Sequence, residues 1–299
     1  IADNNVEDAT NELILGTDWT DTAGNTGSSA TTANFTIDTL EPTIVTDIHG
    51  NPVSMSDTEL IKGDTATVTI IFSEAVAGFA SNDDVTVPNG TLSPMTSFDN
   101  ILWTGTYTPN ADVEDATNEL IFGTDWTDTA GNTGFLFTSM NFTIDTAVPV
   151  ITLLGDATVT IEVGSAYTDA GATAIDNYDG LADLTSSIVT VSTVDTAVVG
   201  VYTLTYNVTD ANGNVAVEVT RIVNVVDTTL PVITLTGEAT VTIEVDSTYT
   251  DAGATATDNY DTGLTSSIVT VSTVDVTTVG TYTLTYNVTD ANGNVAVEV

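Results

Sequence analysis

The sequence predicts an all-β protein made of several β-sandwich domains in tandem. Thr and Val supply 62 and 37 of the 299 residues, and β-branched side chains favour strands. Apolar and polar residues alternate over short runs, which is the period of a half-buried strand. Long segments also recur at fixed offsets, which is typical of repeated domains.

The charge and composition of the chain exclude several functions. There are 42 acidic residues against two basic ones, a net charge of -40. Nucleic-acid binding requires a basic surface that neutralises phosphates, so no nucleic-acid partner is expected. The chain has no Cys and so no disulfide. It has no run of about 18 apolar residues, so no insertion into a membrane is expected.

The first repeat, called type A, occurs in the N-terminal half. Residues 6–25 and 113–132 differ at one position of twenty, at an offset of 107. The offset persists to the sequence NFTIDT at 34–39 and 141–146. Type A is therefore expected once in part and once in full.

The second repeat, called type B, fills the rest of the chain. Residues 149–174 and 231–256 correspond at an offset of 82. Residues 185–219 and 265–299 differ at four of 35 positions, now at an offset of 80. The change of two residues falls at DNYDGLADLT against DNYDTGLT, which indicates a surface loop.

The repeats predict four domains. A1 is expected to be the C-terminal part of a type A domain, and B2 a type B domain without the end of its last strand. Both ends then fall inside domains, so we expect a window cut from a longer array. The predicted boundaries are 1–40 for A1, 41–146 for A2, 147–227 for B1 and 228–299 for B2.

Each repeat is expected to form about seven short strands in two packed sheets. Asn-Gly turn signals at 89–90, 212–213 and 292–293 separate the strands. This pattern and the repeat length fit a sandwich of immunoglobulin type. The faces predicted to point inward carry Tyr202, Leu204, Tyr206 and Val208 in B1, and Ala66, Val68, Ile70 and Phe72 in A2.

Sequence motifs of both repeats resemble known families. Type A contains VTIIFSEAVAGFASNDDVTVPNGTLS, WTGTYTP and TDTAGN, and it resembles the bacterial Ig-like repeats of giant surface adhesins. Type B contains DNYDG, YTLTYNVTDANGN and TRIVNVVD, and it resembles the Ig-like domain found in pesticidal crystal proteins and many cell-surface proteins. The resemblance implies tandem Ig-like sandwiches arranged as beads on a string. It also implies an extracellular, cell-surface setting such as a filament or biofilm.

Two recurring acidic features are candidates for metal binding. Asp outnumbers Glu by 30 to 12, and Asp suits tight loops and compact oxygen cages around Ca²⁺. One feature is the linker aspartate ahead of a proline. The other is a D-x-x-G-N loop before the last strand of each repeat. The linker residues are Asp38, Asp145 and Asp227, and the loop residues are Asp128 with Asn132, Asp210 with Asn214, and Asp290 with Asn294.

The expected topology brings the two features together. The last strand of each sandwich runs away from the preceding domain, so the loop that feeds it lies beside the incoming linker. Related adhesin repeats bind Ca²⁺ at such junctions, and the resemblance implies Ca²⁺ as a structural cofactor here. The alternative is ordinary turn chemistry, in which Asp caps its own backbone and Gly takes a positive φ. The expected groupings are Asp38 with Asp128 and Asn132, Asp145 with Asp210 and Asn214, and Asp227 with Asp290 and Asn294.

A further metal candidate is the DNYDG loop of B1, with Asp176 and Asp179. It lacks the spacing and the closing Glu of an EF-hand loop. The alternative is a solvated acidic loop.

No catalytic residues are expected, and the protein is not expected to be an enzyme. The single His, His49, lies in a turn that is not repeated, whereas a triad needs it beside a positioned Ser and Asp. Trp19, Trp103 and Trp126 are expected to pack in cores or tips.

Three functions remain open from the sequence. The leading hypothesis is a stalk or fibre segment of a long extracellular bacterial protein, stiffened by Ca²⁺ at its junctions. Its partners would be neighbouring repeats of the same chain and other copies in a fibre. The alternatives are a glycan- or receptor-binding module that uses the loops SNDDVTVPNG and SPMTSFDN of A2, and an accessory region of a secreted enzyme. The acidity is also explained by a saline setting.

Overall fold

The chain folds almost entirely into β-strands. The computed structural model describes residues 5–176 and 182–299. These residues form two compact units. The first contains A1, A2 and parts of B1 that include Ile175–Leu184 and Thr209–Val217; the second contains the rest of B1 and all of B2. None of the helices in the described residues is long and apolar enough to cross a membrane.

The strands of A1 and A2 are short, and one helical turn interrupts them. In chain order they are β1 (Glu7–Asn11), β2 (Ile14–Leu15), β3 (Ala30–Thr31), β4 (Phe35–Asp38), β5 (Val53–Met55), β6 (Glu59–Ile61), β7 (Ala66–Ile71), β8 (Val76–Ala77), α1 (Ser81–Asp84), β9 (Val85–Thr86), β10 (Gly90–Leu92), β11 (Thr96–Ser97), β12 (Leu102–Pro109), β13 (Glu114–Asn118), β14 (Ile121–Phe122), β15 (Thr127–Asp128), β16 (Phe137–Thr138) and β17 (Phe142–Asp145).

The strands of B1 and B2 follow, with two 3₁₀ turns at Thr185–Ser187 and Leu264–Ser267. In chain order they are β18 (Val150–Leu153), β19 (Thr158–Glu162), β20 (Ala172–Asp176), β21 (Ala182–Asp183), β22 (Val189–Ser192), β23 (Gly200–Asn207), β24 (Val219–Val226), β25 (Val232–Leu235), β26 (Ala254–Thr257), β27 (Val269–Ser272) and β28 (Leu284–Asn287).

A2 is a β-sandwich, as the sequence predicts. One sheet has the order β10-β12-β7-β5, and β11 also pairs with β12. Facing it are the groups β13-β17-β6, β16-β14-β9 and β15-β8. The first of these joins β6 to β17 in parallel, so the last strand of A2 leaves the domain in the direction in which β6 runs.

The core of A2 lies between these sheets. The alternation in β7 buries the predicted face, because Ala66, Val68 and Ile70 are 0% exposed and Phe72 is 1% exposed. Trp126 is fully buried, and its ring centroid lies 4.7 Å from that of Phe72. The expectation that tryptophans serve packing therefore holds in A2.

The partial domain A1 repeats the strand pairing of A2, but its apolar side chains are not covered by a second sheet. β1 pairs with β4 and β13 with β17 in the same register, with a bulge at the same place. Trp19 is 49% exposed, whereas its counterpart Trp126 is fully buried.

B1 contains a four-stranded sheet of order β19-β24-β23-β22. β19 runs parallel to β24, and β23 runs antiparallel to it. Of the predicted inward face, Leu204, Tyr206 and Val208 are at most 2% exposed, and Tyr202 is half-buried. B2 has the shorter pairings β25-β26 and β27-β28.

Part of a predicted binding loop of A2 forms a short helical turn. The SNDD segment forms the turn α1, in which Ser81 and Asp84 are buried. Asp84 Oδ2 accepts a hydrogen bond from the backbone N–H of Ala80 at 2.6 Å. Four residues with two carboxylates gave no helical periodicity, so the sequence indicated only a loop. In the other predicted binding loop, SPMTSFDN, the side chain of Phe98 is fully exposed to solvent.

Candidate metal centres at the linkers

Each linker aspartate lies beside the loop that feeds a last strand. Three groups of carboxylates result, and within each group one oxygen per residue lies within 4.8 Å of all the others. Every group lies inside a single compact unit. We name them the Asp38 cluster (Asp38, Glu74, Asp128), the Asp145 cluster (Asp145, Asp176, Asp210) and the Asp227 cluster (Asp227, Asp258, Asp261, Asp290).

The D-x-x-G-N loop is held by its own aspartate. Asp128 Oδ1 accepts hydrogen bonds from the backbone N–H groups of Ala130, Gly131 and Asn132 at 2.7 to 2.9 Å. Gly131 has φ +97°, a conformation that favours glycine. This is the turn chemistry that the sequence left as an alternative. Oδ2 of Asp128 accepts a hydrogen bond from the side-chain Nδ2 of Asn132 at 2.7 Å, so donors of the loop itself bond both oxygens of this aspartate.

The loop asparagines bind the linker backbone. The side-chain Nδ2 donates to the carbonyl oxygen of the linker aspartate in all three cases. The distances are 3.3 Å from Asn132 to Asp38, 3.1 Å from Asn214 to Asp145 and 3.1 Å from Asn294 to Asp227. These amides therefore position the linker through their Nδ2 donors.

The Asp38 cluster includes an acidic residue that the sequence did not single out. Glu74, in the turn after β7, lies with Asp38 and Asp128. Desolvation, and then the negative charges of Asp128, Asp38 and Glu7, raise the pKa of Glu74. Desolvation opposes ionisation of Asp128 too, but hydrogen bonds from Asn132 and the loop N–H groups bring its pKa below the usual value. The part of A1 that would carry a copy of Glu74 is not in the chain, so no repetition could signal it.

The Asp145 cluster contains a buried carboxylate without hydrogen-bond partners. Asp145 is 3% exposed, and neither of its side-chain oxygens has a partner. Oδ2 of Asp210 is also buried without a partner, since Oδ1 of Asn214 accepts the N–H of Lys62 and its Nδ2 turns to the linker. Buried carboxylates are normally hydrogen-bonded or coordinate a metal.

The electrostatics of Asp145 follow from this burial. Desolvation raises its pKa to about 6, and the nearby charges of Asp210, Asp176 and Glu114 add to the effect. Glu114 faces Asp145 directly across the β13–β17 pair, and like charges at such a position destabilise a sheet. The same opposition recurs between Glu7 and Asp38.

The Asp227 cluster has four carboxylates and more hydrogen bonds. Asp227 accepts from the side-chain Nδ2 of Asn292 at 2.8 Å and from the N–H of Thr229 at 3.2 Å. Oδ1 of Asp258 is buried without a partner. Desolvation raises the pKa of Asp227, and the charges of Asp258 and Asp290 add to the rise while its hydrogen bonds oppose it.

The two predicted kinds of site converge in the structure. Asp176 of the DNYDG loop joins the Asp145 cluster, and its type B counterpart Asp258 joins the Asp227 cluster with Asp261. Asp179 lies outside the described residues. The offset of 82 relates Asp258 and Asp261 to Asp176 and Asp179. The repeat therefore carried the signal, but the sequence did not show that this loop reaches the linker.

The clusters fit a hard divalent cation. Ca²⁺ binds carboxylate oxygens at about 2.3–2.6 Å, so oxygens that share one ion lie within about 5 Å of each other. The separations of at most 4.8 Å satisfy this limit. No nitrogen or sulfur ligand belongs to these clusters, and an all-oxygen set is the set that Ca²⁺ prefers over transition metals.

Two family models match the chain. Residues 38–144 match the model described as "Bacterial Ig-like domain". Residues 151–225 and 233–298 match the model described as "Bacterial surface protein, Ig-like domain". The chain is an array of bacterial Ig-like domains. Type A thus matches a bacterial Ig-like family, and type B matches a family of bacterial surface-protein Ig-like domains.

Several solved structures resemble the Ig-like array weakly. The N-terminal part of the bacterial S-layer protein SbsC is 14% identical, with 62% of this chain and 44% of that chain covered and a TM-score of 0.23. The M60 catalytic domain with the CBM51-1 and CBM51-2 domains of Clostridium perfringens ZmpB is 12% identical, with 73% of this chain and 34% of that chain covered and a TM-score of 0.24. The structure of domains 4–9 of the surface layer protein SbsC is 14% identical, with 70% of this chain and 35% of that chain covered and a TM-score of 0.20. This chain thus spans less than half of each. No curated protein matches the sequence.

Proposed function

We propose that these Ig-like domains form a stalk segment of an extracellular bacterial surface protein, and that Ca²⁺ at the three carboxylate clusters fixes the linkers. The observation that carries the proposal is the carboxylate of Asp145, which is buried and lacks any hydrogen-bond partner. The type B family belongs by its description to surface proteins, which supports the setting. The segment acts as a spacer without catalysis.

Charge neutralisation is the first reason for a cation. The Asp145 cluster holds three carboxylates, and Glu114 faces it across a strand pair. Asp145 is 3% exposed, so water solvates it poorly, and the backbone N–H of Ala147 offsets only part of the resulting rise in its pKa. A divalent ion would supply the missing positive charge within bonding distance of all three carboxylates.

The position of the clusters is the second reason. Each one joins a linker aspartate to the D-x-x-G-N loop of the domain that follows, and these aspartates are Asp38, Asp145 and Asp227. An ion shared by these groups would restrict the backbone dihedrals of the linker. In a tandem array each domain contacts mainly its neighbours, so restricted linkers would convert a flexible string into a stiff one.

Calcium titration tests the proposal. We expect isothermal titration with Ca²⁺ at constant ionic strength to reveal three sites on the intact chain. Small-angle scattering should record a longer, stiffer particle in Ca²⁺ than in EDTA. Mg²⁺ should bind more weakly, because it requires compact octahedral geometry and retains its waters. No binding heat and no change in scattering at millimolar Ca²⁺ would refute the proposal.

Matched variants assign the sites. D38N, D145N and D227N should each remove one site and leave the other two. The control is D125N, which removes one charge from an exposed residue of A2 that belongs to none of the clusters, and it should retain all three. A D145N chain that still binds three ions would contradict the assignment of Asp145 as a ligand.

A further inference from the structure

A small cavity lies beside β5 of A2. Its volume is about 200 Å³, and its walls come from the loop before β5, from β5 itself and from the segment that leads into β17. The chain contains one His and three Met. The cavity walls include this His and two of the Met, which are His49, Met55 and Met140. Three of the four imidazole and thioether groups of the chain therefore line one cavity.

The loop that carries His49 forms the same turn as the D-x-x-G-N loops. Its sequence is DIHGN. Asp47 Oδ1 accepts the backbone N–H groups of His49 and Asn51 at 2.8 and 2.9 Å, and Asp47 Oδ2 accepts Nδ2 of Asn51 at 3.0 Å. Gly50 has φ +85°. The bonds from Asn51 and His49 lower the pKa of Asp47, so a negative charge lines the cavity at neutral pH.

The turn itself does not require a histidine. The N–H of Ala130 donates to Asp128 at 2.8 Å, just as the N–H of His49 donates to Asp47. The third residue of the loop therefore contributes only its backbone to the turn. The side chain of His49 is exposed at the cavity wall, so its imidazole is accessible to a ligand.

Packing alone does not explain the two methionines of the cavity. Met is usually a flexible filler of cores, and Met95 has that role, since it is 6% exposed. Met140 is 50% exposed, and the corresponding residue of A1 is Ala33, ahead of the same sequence NFTIDT. Met55 is half-buried, packs against the A2 core and also lines the cavity. The strand pairing of the repeat thus forms without a thioether at the position of Met140.

A backbone hydrogen bond keeps the two methionine segments together. The N–H of Thr143 in β17 donates to the carbonyl of Thr58, which follows β5, at 2.9 Å. Thr58 also lines the cavity. A Met side chain has three rotatable bonds, so the sulfur atoms of Met55 and Met140 can turn toward one ion while the backbone stays fixed.

We propose that this cavity binds one Cu(I) ion through an imidazole nitrogen of His49 and the sulfur atoms of Met55 and Met140. Thioethers are soft ligands that select Cu(I), and imidazole also suits copper, whereas Ca²⁺ takes oxygen ligands. Zinc sites are usually built from several thiolates, imidazoles or carboxylates, and this cavity offers one imidazole and one carboxylate. The charge of Asp47 and the net charge of -40 attract a cation.

The copper site is separate from the proposed calcium sites. No residue that lines the cavity belongs to the Asp38, Asp145 or Asp227 cluster. The ion enters and leaves as Cu(I), so binding involves no electron transfer. The stalk would then hold hard ions at its linkers and one soft ion inside A2.

Methyl NMR of the intact chain tests the copper site. Protein labelled with ¹³C at the methionine methyl groups gives one signal for each of its three Met, assigned with M55L, M95L and M140L. One equivalent of Cu(I), kept reduced by ascorbate without oxygen, should shift the signals of Met55 and Met140. The signal of Met95, which is outside the cavity, should stay in place. No shift, or an equal shift of all three signals, would overturn the proposal.

Competition for Cu(I) with the chelator bicinchoninate measures the affinity. H49A and M140A should each weaken Cu(I) binding at least ten-fold. Alanine occurs at the corresponding positions 130 and 33, so both variants are expected to fold. M95L is the control and should bind as the parent does.

The same competition in millimolar Ca²⁺ separates this site from the linker clusters. We expect an unchanged Cu(I) affinity, because the two kinds of site share no ligand. Displacement of Cu(I) by Ca²⁺ would overturn the proposal, since the carboxylates would then hold both ions. Equal Cu(I) affinity of H49A, M140A and the parent would overturn it as well.

Discussion

The carboxyl group of Asp145 determines how the Asp145 cluster responds to pH. Burial raises its folded-state pKa to about 6 from the usual value of 3.8. A raised pKa means that ionisation disfavours the folded state. The contribution of Asp145 to stability is therefore greatest below pH 3.8 and is lost as the pH rises through about 6. A shift of about two units corresponds to about 3 kcal/mol at neutral pH.

This gives a prediction in which the sign of a mutation depends on calcium. In EDTA at pH 7.5, D145N should be more stable than the parent by about 1–3 kcal/mol, because the amide is neutral and can donate to neighbouring carboxylates. At pH 4 in EDTA the difference should vanish. In saturating Ca²⁺ the order should reverse, because the variant loses a ligand.

Tryptophan fluorescence during urea unfolding measures this effect. Trp103 and Trp126 lie in A2, the domain that contains Asp145, and Trp19 lies in A1, so the fluorescence reports the unfolding of A1 and A2. D125N serves as the control and should follow the parent in every buffer. A D145N protein that is less stable than the parent in EDTA at pH 7.5 would contradict the electrostatic account.

At the same scale, the sequence predicted the meeting of linker and loop but not the complete clusters. The sequence could pair each linker aspartate with its D-x-x-G-N loop. The repeats gave the order of linkers and loops along the chain, and the sandwich topology placed each loop at the end of the domain that faces the incoming linker. These aspartates are Asp38, Asp145 and Asp227. Glu74 could not be predicted, since it lies in a turn that occurs once. The burial of Arg221 in β24, where it is 1% exposed, also gave no signal, because a charged residue within an alternating strand reads as surface.

At the scale of elements, a carboxylate of β19 fastens the linker after B1. Glu162 accepts hydrogen bonds from the backbone and hydroxyl groups of Thr228 and Thr229 at 2.7 to 3.2 Å. The bonds from Thr228 and Thr229 lower the pKa of Glu162 to about 2. Asn259 of B2 also donates to it at 3.5 Å. This clamp needs no cation.

The clamp predicts local protection that does not depend on calcium. E162Q should speed amide hydrogen exchange of Thr228 and Thr229 at least ten-fold, in EDTA and in Ca²⁺ alike. The matched control is E244Q at the same position of B2, which should leave both amides unchanged.

The same clamp has a definite pH range. Because its folded-state pKa is depressed, the contribution of Glu162 is present above its usual pKa of 4.5 and is lost only as the pH falls through about 2. Protection should therefore persist at pH 3.5, where Asp145 is protonated. Loss of protection near pH 4.5 would show that the hydrogen bonds do not hold Glu162 ionised.

Strand positions were predictable from alternation, and short elements were not. The inward faces of β7 and β23 follow a period of two over several residues, so they could be read from the sequence. α1 spans four residues, which is too short for any helical pattern to appear. Its formation depends on the contact of Asp84 with the Ala80 backbone, a tertiary detail.

At the scale of the whole molecule, a net charge of -40 opposes compactness. General screening by salt and specific binding of cations both relieve this repulsion, and they differ in concentration dependence. Screening requires a Debye length comparable to charge spacing, about 3 Å at 1 M. Specific sites act when ionic strength has barely changed.

Thermal melting separates these two effects. In EDTA, raising NaCl from 0.1 to 1 M should raise the melting temperature by roughly 5 °C, the size of a stabilisation of about 1 kcal/mol. Adding 2 mM Ca²⁺ at fixed ionic strength should raise it at least as much. A calcium effect no larger than that of NaCl at matched ionic strength would instead indicate adaptation to a saline setting.

The identical register of β1–β4 and β13–β17 bears on how the chain folds. Both strand pairs have the same register and the same bulge. They differ mainly in the residues that pack on their apolar face. A chain collapsing from the unfolded state can therefore pack either strand pair against β7, although only β13–β17 belongs to the same domain as β7. Near-identical units thus limit the fidelity of refolding, since each added copy brings another competitor for the same core.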